Sequence, residues 1–142
     1  MWVKEHSKIY QGIKKEDIWR IWTDVNNWSA WHGDLDYCKM NGDFKVGSFF
    51  MLKPKGAPAV KIELIDIVDG SKFTDCTTFF GAKMYDTHMM EETENGIRLT
   101  NKLVVTGILQ FVWIKLVAQH VANTVPDEMD ELVTLARATH VR

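Results

Sequence analysis

The chain has 142 residues, 46% of them hydrophobic and 25% charged, and its formal net charge is −2. These values are typical of one soluble globular domain, so we expect a single domain over residues 1–142. Phosphate binding needs clustered Lys and Arg, and the sequence contains no basic block. Nucleic acid is therefore not expected as a partner.

Targeting and redox features favour a cytoplasmic protein. The opening residues MWVKEHSKIYQG lack the apolar run of a secretory signal. The most apolar stretch, Gly107 to Val125, is interrupted by several polar residues, whereas a membrane span needs roughly 20 mostly apolar residues. We therefore expect no stable membrane insertion. Cys38 and Cys76 do not form a CxxC pair, so we predict two reduced thiols and no disulfide.

The N-terminal part predicts one strand and two short helices. Val3 to Tyr10 is the strand candidate. Over Lys15 to Asp24 the apolar residues recur at helical spacing. Asn26 or Asn27 is then predicted to cap a second short helix that ends at Gly33.

The middle of the chain predicts six further strands. Turn dipeptides such as Asn41-Gly42, Asp69-Gly70 and Asn95-Gly96 separate runs of strand length. The predicted strands are roughly 36–41, 47–53, 59–68, 72–80, 83–92 and 97–106. Short links join antiparallel neighbours, so these strands form a meander. Strand 47–53 is apolar at four successive positions, which leaves its inward face undecided.

The last third predicts a long helix. Gly107 breaks the strand, and Ile108 to Thr124 is apolar on more than one face, whereas a helix on a flat sheet needs only one apolar stripe. Pro126 lacks an amide donor and is predicted to kink the helix or to begin a new one. Beyond it a single apolar stripe continues, formed by Met129, Leu132, Val133 and Ala136.

This order of elements resembles the START-like superfamily, also called SRPBCC or Bet v 1-like, and in particular its polyketide cyclase/dehydrase-type members. The positions that carry the resemblance are Asp24, Trp28, Trp31, Gly47, Phe73, His88 and the break at Gly107. The resemblance implies an α+β helix-grip fold. In that fold a curved seven-stranded antiparallel sheet surrounds a long C-terminal helix, and two short helices follow strand 1.

The resemblance also implies a function. We expect a hydrophobic small molecule or lipid as ligand, bound in an apolar cavity between the sheet and the C-terminal helix, with no cofactor and no metal. One alternative is an enzyme of the polyketide cyclase or dehydratase kind. The other is a protein-interaction module, such as a homodimer formed through the long helix, with Trp113 or Phe111 at the contact.

The hairpin at Asn95-Gly96 predicts which side chains face inward. A two-residue turn there pairs Glu94 with Ile97, and directly opposite residues share a face of the sheet. The resulting pairs are His88 with Leu103, Asp86 with Val105 and Met90 with Asn101. All of these side chains would then point inward, whereas a register slip of one residue would turn them all outward.

His88 and its neighbours are the candidate polar centre. A desolvated His beside a carboxylate, Asp86 or Asp75, can act as general base or can orient a ligand carbonyl. The alternative is a buried hydrogen-bonded cluster without chemistry. The predicted ligand-binding residues are Trp28, Trp31, His88, Met90, Asn101, Leu103, Phe111, Ile114 and Val117.

The segment from Trp28 to Asp36 contains two further candidates. Trp28 and Trp31 share a helix face, and one can plug the core while the other faces a ligand. His32, Asp34 and Asp36 place one imidazole and two carboxylates in a turn. No second His stands at metal-ligand spacing, so we expect a solvated loop there.

Overall fold

The computed structural model describes residues 1–140, and these contain one seven-stranded antiparallel sheet and a long C-terminal helix. The strands are β1 (Trp2–Tyr10), β2 (Leu35–Asn41), β3 (Phe49–Pro54), β4 (Val60–Val68), β5 (Lys72–Phe79), β6 (Ala82–Thr93) and β7 (Gly96–Thr106). Their order in the sheet is β1-β7-β6-β5-β4-β3-β2. The meander and the helix-grip architecture predicted from the sequence are confirmed.

Helices fill the concave side of the sheet. Helix α1 (Lys15–Thr23) and a 3₁₀ helix (Val25–Ala30) follow β1. The C-terminal helix consists of α2 (Gln110–Trp113), a π-helical segment (Ile114–Ala118) and α3 (Gln119–His140). Among the described residues, no helix combines the length and the apolar character that crossing a membrane requires.

The predicted Asn cap of the second short helix is wrong. The 3₁₀ helix begins after Asp24 and has no side-chain capping bond. Instead, the Asn27 Nδ2 donates to the Asp24 carboxylate at 2.8 Å. The Asn26 side-chain oxygen accepts the Met40 backbone N–H at 2.8 Å, so Asn26 ties the helix to β2 rather than capping it.

Pro126 does not begin a new helix, because α3 runs through it. The irregularity of the C-terminal helix lies earlier, in the π-helical segment. There the wider turn changes which side chains face the sheet. The predicted stripe beyond Pro126 is confirmed, since Met129, Leu132, Val133 and Ala136 are all buried.

The interior is divided into two apolar clusters. The main core includes Trp22, Trp28, Phe50, Phe73 and Leu99. The second core, at the other end of the sheet, contains Met84, Leu103, Val105 and Ala118. On β5, β6 and β7 the inward positions between the two clusters are polar, so a polar layer crosses the middle of the protein.

The inward face of β3 is now defined. Phe50 is fully buried in the main core, whereas the Lys61 ammonium lies 4.3 Å from the centre of the Phe49 ring. Side chains alternate along a strand, so Phe50 and Leu52 face the core and Phe49 faces outward.

The loop after β7 depends on glycine. Gly107 has φ +111°, and a Cβ there would meet the Gly81 carbonyl oxygen and would lie 2.7 Å from the Ala82 Cα. Gly42 also has a positive φ, of +87°, but a Cβ there would meet nothing within 4 Å. A substitution at Gly42 therefore introduces backbone strain alone, whereas a substitution at Gly107 adds steric overlap.

We predict that Gly107→Ala destabilises the protein more than Gly42→Ala. Gly42→Ala should cost about 1 kcal/mol, because it forces a Cβ into left-handed backbone. Gly107→Ala should cost about 1–3 kcal/mol more, because two chain segments must also move apart. Urea unfolding of both variants measures the difference, and equal losses would contradict it.

Candidate functional site

The polar layer is built by strand pairing. Asp75 on β5 lies directly opposite Asp86 on β6, and His88 on β6 lies directly opposite Asn101 on β7. Alternate residues of one strand share a face, so all four side chains point to the inside of the sheet. The Asp75 side chain is 7% exposed and that of His88 is 22% exposed.

Short contacts join these four side chains. The Asn101 Nδ2 donates a hydrogen bond to the Asp86 Oδ1 at 2.6 Å. The His88 Nε2 lies 3.3 Å from the same oxygen and 3.9 Å from the Asp75 Oδ2. The second distance is too long for a hydrogen bond but close enough for strong electrostatic coupling. Asp86 is thus the common partner of His88 and Asn101.

Aromatic rings fix the imidazole. The Phe73 ring stacks on His88, with centroids 4.4 Å apart and an interplanar angle of 15°. Trp22 meets the imidazole at 61°, with centroids 5.9 Å apart. Both rings belong to the main core, so His88 stands at the boundary between apolar packing and the polar layer.

The pKa values of both Asp75 and His88 are raised in this layer. Burial raises the pKa of Asp75 well above its ordinary value of 3.8; the neighbouring Asp86 raises it further, and His88 opposes this. For His88, burial lowers the pKa, but the Asp86 charge and hydrogen bond, with Asp75 and Glu128, outweigh it and raise the pKa above 6.5. Burial thus favours the protonated form of Asp75, and the Asp86 carboxylate favours the charged form of His88.

A small pocket opens beside His88, between the sheet and α3. Its cavity volume is about 40 Å³, enough for one or two water molecules. Ligand pockets for drug-sized molecules measure roughly 300–1,000 Å³. Its lining comprises Trp22, Trp31, His32, His88, Leu99, Thr100, Asn101, Val125, Glu128, Met129 and Leu132. In this conformation the pocket cannot enclose a large ligand.

An imidazole–carboxylate pair stands in the wall of this pocket. The His32 Nδ1 lies 3.2 Å from the Glu128 Oε1, and the His32 and Trp31 rings have centroids 4.0 Å apart. The pair bridges the segment after the 3₁₀ helix to α3. Trp31, His32 and Glu128 therefore form a wall whose movement would change access to His88.

The structure brings together three of the predicted ligand-binding residues. Trp31, His88 and Asn101 line the pocket. Trp28 instead plugs the main core: it is 5% exposed, and its indole N–H donates to the Trp22 carbonyl at 3.1 Å. One Trp plugs and the other faces the pocket, which is the combination that the sequence allowed.

The other predicted ligand-binding residues lie outside the pocket. Met90 belongs to the main core, and Leu103, Ile114 and Val117 belong to the second core, beyond the polar layer. Phe111 is 67% exposed, so its placement in the cavity is wrong. The inner side of the C-terminal helix is taken by Ile114 and Ala118 through the π-helical segment, which leaves Phe111 outside.

The predicted inward face of β6 and β7 is confirmed, although the predicted register is not. The hairpin pairs Thr93 with Gly96, so the two loop residues are Glu94 and Asn95, and every predicted pair is shifted by two positions. A shift of two preserves the face, because side chains alternate with period two. His88 therefore faces inward, opposite Asn101 rather than Leu103.

The pocket residues from α3 were not predicted from the sequence. Val125, Glu128, Met129 and Leu132 line the pocket. His6 was not predicted either. It lies on β1 opposite Asn101, and its buried Nε2 has no hydrogen-bond partner within the described part of the chain. An alternating pattern along β1 places His6 on the same face as Tyr10, which could have identified it.

Among the described residues, the turn after the 3₁₀ helix and the polar layer each contain imidazole and carboxylate groups. In the turn after the 3₁₀ helix the side chains diverge: Asp36 pairs with Lys53 at 2.7 Å, and Asp34 lies 3.7 Å from His120. In the polar layer, one ligand atom each from Asp75, Asp86 and His88 lie within 4.8 Å of one another. These three could hold a metal ion, although the contact between His88 and Asp86 already uses two of the ligand atoms.

Solved structures share this fold. A hypothetical protein from Helicobacter pylori matches with a TM-score of 0.76 and 16% identity, over 96% of this chain and 88% of that one. The di-domain ARO/CYC protein StfQ of the steffimycin biosynthetic pathway matches with a TM-score of 0.78 and 11% identity, over 99% of this chain and 52% of that one.

Norcoclaurine synthase from Thalictrum flavum, solved with dopamine and hydroxybenzaldehyde, matches with a TM-score of 0.68 and 14% identity, over 94% of this chain and 85% of that one. At the sequence level, no family model and no curated protein matches the chain. The protein thus shares the helix-grip fold of these structures.

We predict that Asp75→Asn makes stability less dependent on pH. In the native protein Asp75 holds its proton above pH 3.8, whereas the unfolded chain releases it there. The native state therefore binds more protons, and stability falls as pH rises through this window. Asn cannot ionise, so the variant should gain stability relative to wild type as pH rises from 4 to neutrality.

Urea unfolding at a series of pH values checks this. The matched control is Asp69→Asn, a carboxylate in an exposed turn, which should keep the wild-type slope. A variant Asp75→Asn that loses stability in parallel with wild type over the whole series would show that Asp75 is ionised in the native state.

Proposed function

We propose that the protein binds a small aromatic or apolar molecule that carries a hydroxyl or carbonyl group, in the pocket between the sheet and α3. The observation that carries this proposal is the composition of the pocket. Its apolar walls, from Leu99, Met129 and Leu132, converge on the polar groups of His88 and Asn101. A few polar groups in an otherwise apolar pocket are what fix the orientation of a small ligand.

The pocket offers such a ligand both polar and aromatic contacts. An imidazolium at His88 can donate to a carbonyl or phenolic oxygen, while Asp86 keeps the ring charged. Trp31 offers an aromatic face on the opposite wall. The fold neighbour solved with dopamine and hydroxybenzaldehyde supports a ligand of this size and class.

The pocket must open to admit even one aromatic ring. A volume of about 40 Å³ corresponds to one or two water molecules. The contact between the His32 Nδ1 and the Glu128 Oε1, 3.2 Å long, links the two walls. Movement of Trp31 and His32 away from α3 would break this contact and enlarge the pocket.

We predict that hydroxybenzaldehyde binds this pocket and that Trp31→Ala weakens binding about threefold to tenfold, because an aromatic contact contributes about 0.5–1.5 kcal/mol. Amide chemical-shift titration by NMR measures the affinity and maps the site. The matched control is Trp113→Ala, which removes a partly buried Trp that stacks on Phe79 near the second core.

Three results together support the binding proposal: shifts that cluster around His88 and Asn101, weaker binding in Trp31→Ala and unchanged binding in Trp113→Ala. Shifts confined to the second core, or equal losses in the two Trp variants, would place the ligand elsewhere. Absence of binding by hydroxybenzaldehyde, dopamine and phenol would refute it.

A second candidate function, acid–base catalysis, is favoured by the carboxylate pair. Burial favours the protonated form of Asp75, while the neighbouring Asp86 lies 3.3 Å from the His88 imidazole. One site then offers a proton donor and a proton acceptor, the combination that cyclisation and dehydration of carbonyl compounds require. The two functions share the same pocket, since a bound carbonyl compound would be the substrate.

We predict for this second function that the protein exchanges the α-hydrogens of acetophenone with deuterium from solvent. The rate should fall as pH rises through the pKa of His88, which lies above 6.5. NMR follows the exchange. His88→Ala should abolish the excess over buffer, and His120→Ala, at an exposed imidazole, should retain it. Exchange no faster than in buffer would exclude this function and leave the binding proposal intact.

A further inference from the structure

Large apolar side chains are exposed together at one end of the protein. Phe80 is 84% exposed, Ile108 87%, Phe111 67% and Leu116 65%. Phe80 lies in the turn between β5 and β6, Ile108 follows β7, Phe111 lies in α2, and Leu116 lies in the π-helical segment. We name these four residues the apolar tip. Several large apolar side chains exposed at one end of a protein are typical of an interaction site.

Hydrogen bonds join the two chain segments that form the apolar tip. The Leu109 N–H donates to the Gly81 carbonyl at 2.9 Å, and the Trp113 indole N–H donates to the Phe80 carbonyl at 2.7 Å. The Trp113 ring also stacks on Phe79, with centroids 4.5 Å apart. Trp113 therefore holds the β5–β6 turn and the C-terminal helix together. Phe80, Ile108 and Phe111 project from these joined segments.

The two chain segments that carry the apolar tip contain basic but no acidic residues. Residues 76–85 and 95–126 contain no Asp or Glu, although the chain has 19 acidic residues. The same segments carry Lys83, next to the β5–β6 turn, and Lys115, beside Leu116, and both are exposed. The turns at the opposite end of these strands carry Asp69 and three Glu in the 91–94 region. The cationic side chains of the tip segments therefore have no carboxylate within their own segments.

We propose that the apolar tip docks the protein reversibly on an anionic membrane surface. Phe80, Ile108 and Phe111 would enter the boundary between headgroups and acyl chains, and Lys83 and Lys115 would lie against lipid phosphates. The contact is interfacial and needs no spanning helix. It is independent of what the pocket binds.

The charge pattern favours a membrane over a second copy of the chain. A two-fold dimer through the apolar tip would place the same patch on both sides of the contact. Lys83 and Lys115 of one copy would then face those of the other, and these segments contain no carboxylate to pair with them. The tip also consists of separate projecting side chains, which suits a soft lipid interface better than the matched surface of a protein partner.

Flotation of the full chain with lipid vesicles tests the proposal. We expect binding to vesicles of equal parts phosphatidylcholine and phosphatidylserine, weaker binding at higher salt, and little binding to phosphatidylcholine alone. Lys83→Gln and Lys115→Gln should each lower the partition coefficient about fivefold, since one Lys at an anionic surface contributes about 1 kcal/mol. Phe80→Ser should lower it about tenfold through lost apolar burial.

The matched control is Val46→Ser, which removes an apolar side chain that is 57% exposed in the loop between β2 and β3, away from the apolar tip. It should bind vesicles as wild type does, and circular dichroism confirms that each variant is folded. No flotation, equal flotation with neutral vesicles, or loss in Val46→Ser equal to that in Phe80→Ser would each overturn the proposal. So would a dimer in light scattering that Phe80→Ser dissociates, or an acidic protein partner held by the tip, without vesicle binding.

Discussion

The ion pair between His88 and Asp86, held inside the sheet beside Asp75, is the interaction that the rest of the site depends on. Two carboxylates that face each other across neighbouring strands cannot both ionise in a desolvated place at low cost. The His88 imidazole lies 3.3 Å from one of them, and burial favours the protonated, neutral form of the other. Removing His88 would leave a buried carboxylate without its counter-charge, a change that typically costs 3–5 kcal/mol (about the value of a broken buried pair).

This polar layer also explains how the interior is arranged. It separates the main core, built around Phe73 and Leu99, from the second core, built around Leu103 and Ala118. Each of β5, β6 and β7 passes from one core through a polar position to the other. The pocket lies where the layer meets α3, so His88 and Asn101 belong to its lining. The fold thus places His88, Asp86 and Asn101 at the level where apolar packing is interrupted.

The sequence predicts the sheet and its inward face well, because alternation along strands is a local property. Even a wrong hairpin register left His88, Asp86 and Asn101 on the correct side, since the error was two residues and the period is two. The C-terminal helix was harder to predict. Its π-helical segment changes the helical phase by an amount that periodicity does not reveal, which is why Phe111 was wrongly placed inside. The size of the pocket was also beyond the sequence, because it depends on how closely α3 packs on the sheet.

The most direct test of this account is the titration of the His88 imidazole, followed by ¹⁵N NMR in wild type and in Asp86→Asn. The account predicts that wild-type His88 titrates with a pKa above 6.5. The pKa should fall in Asp86→Asn, because the carboxylate that stabilises the imidazolium is gone and burial then dominates. A wild-type His88 that titrates below 6.5, or a pKa that Asp86→Asn leaves unchanged, would contradict the charged polar layer and the site built on it.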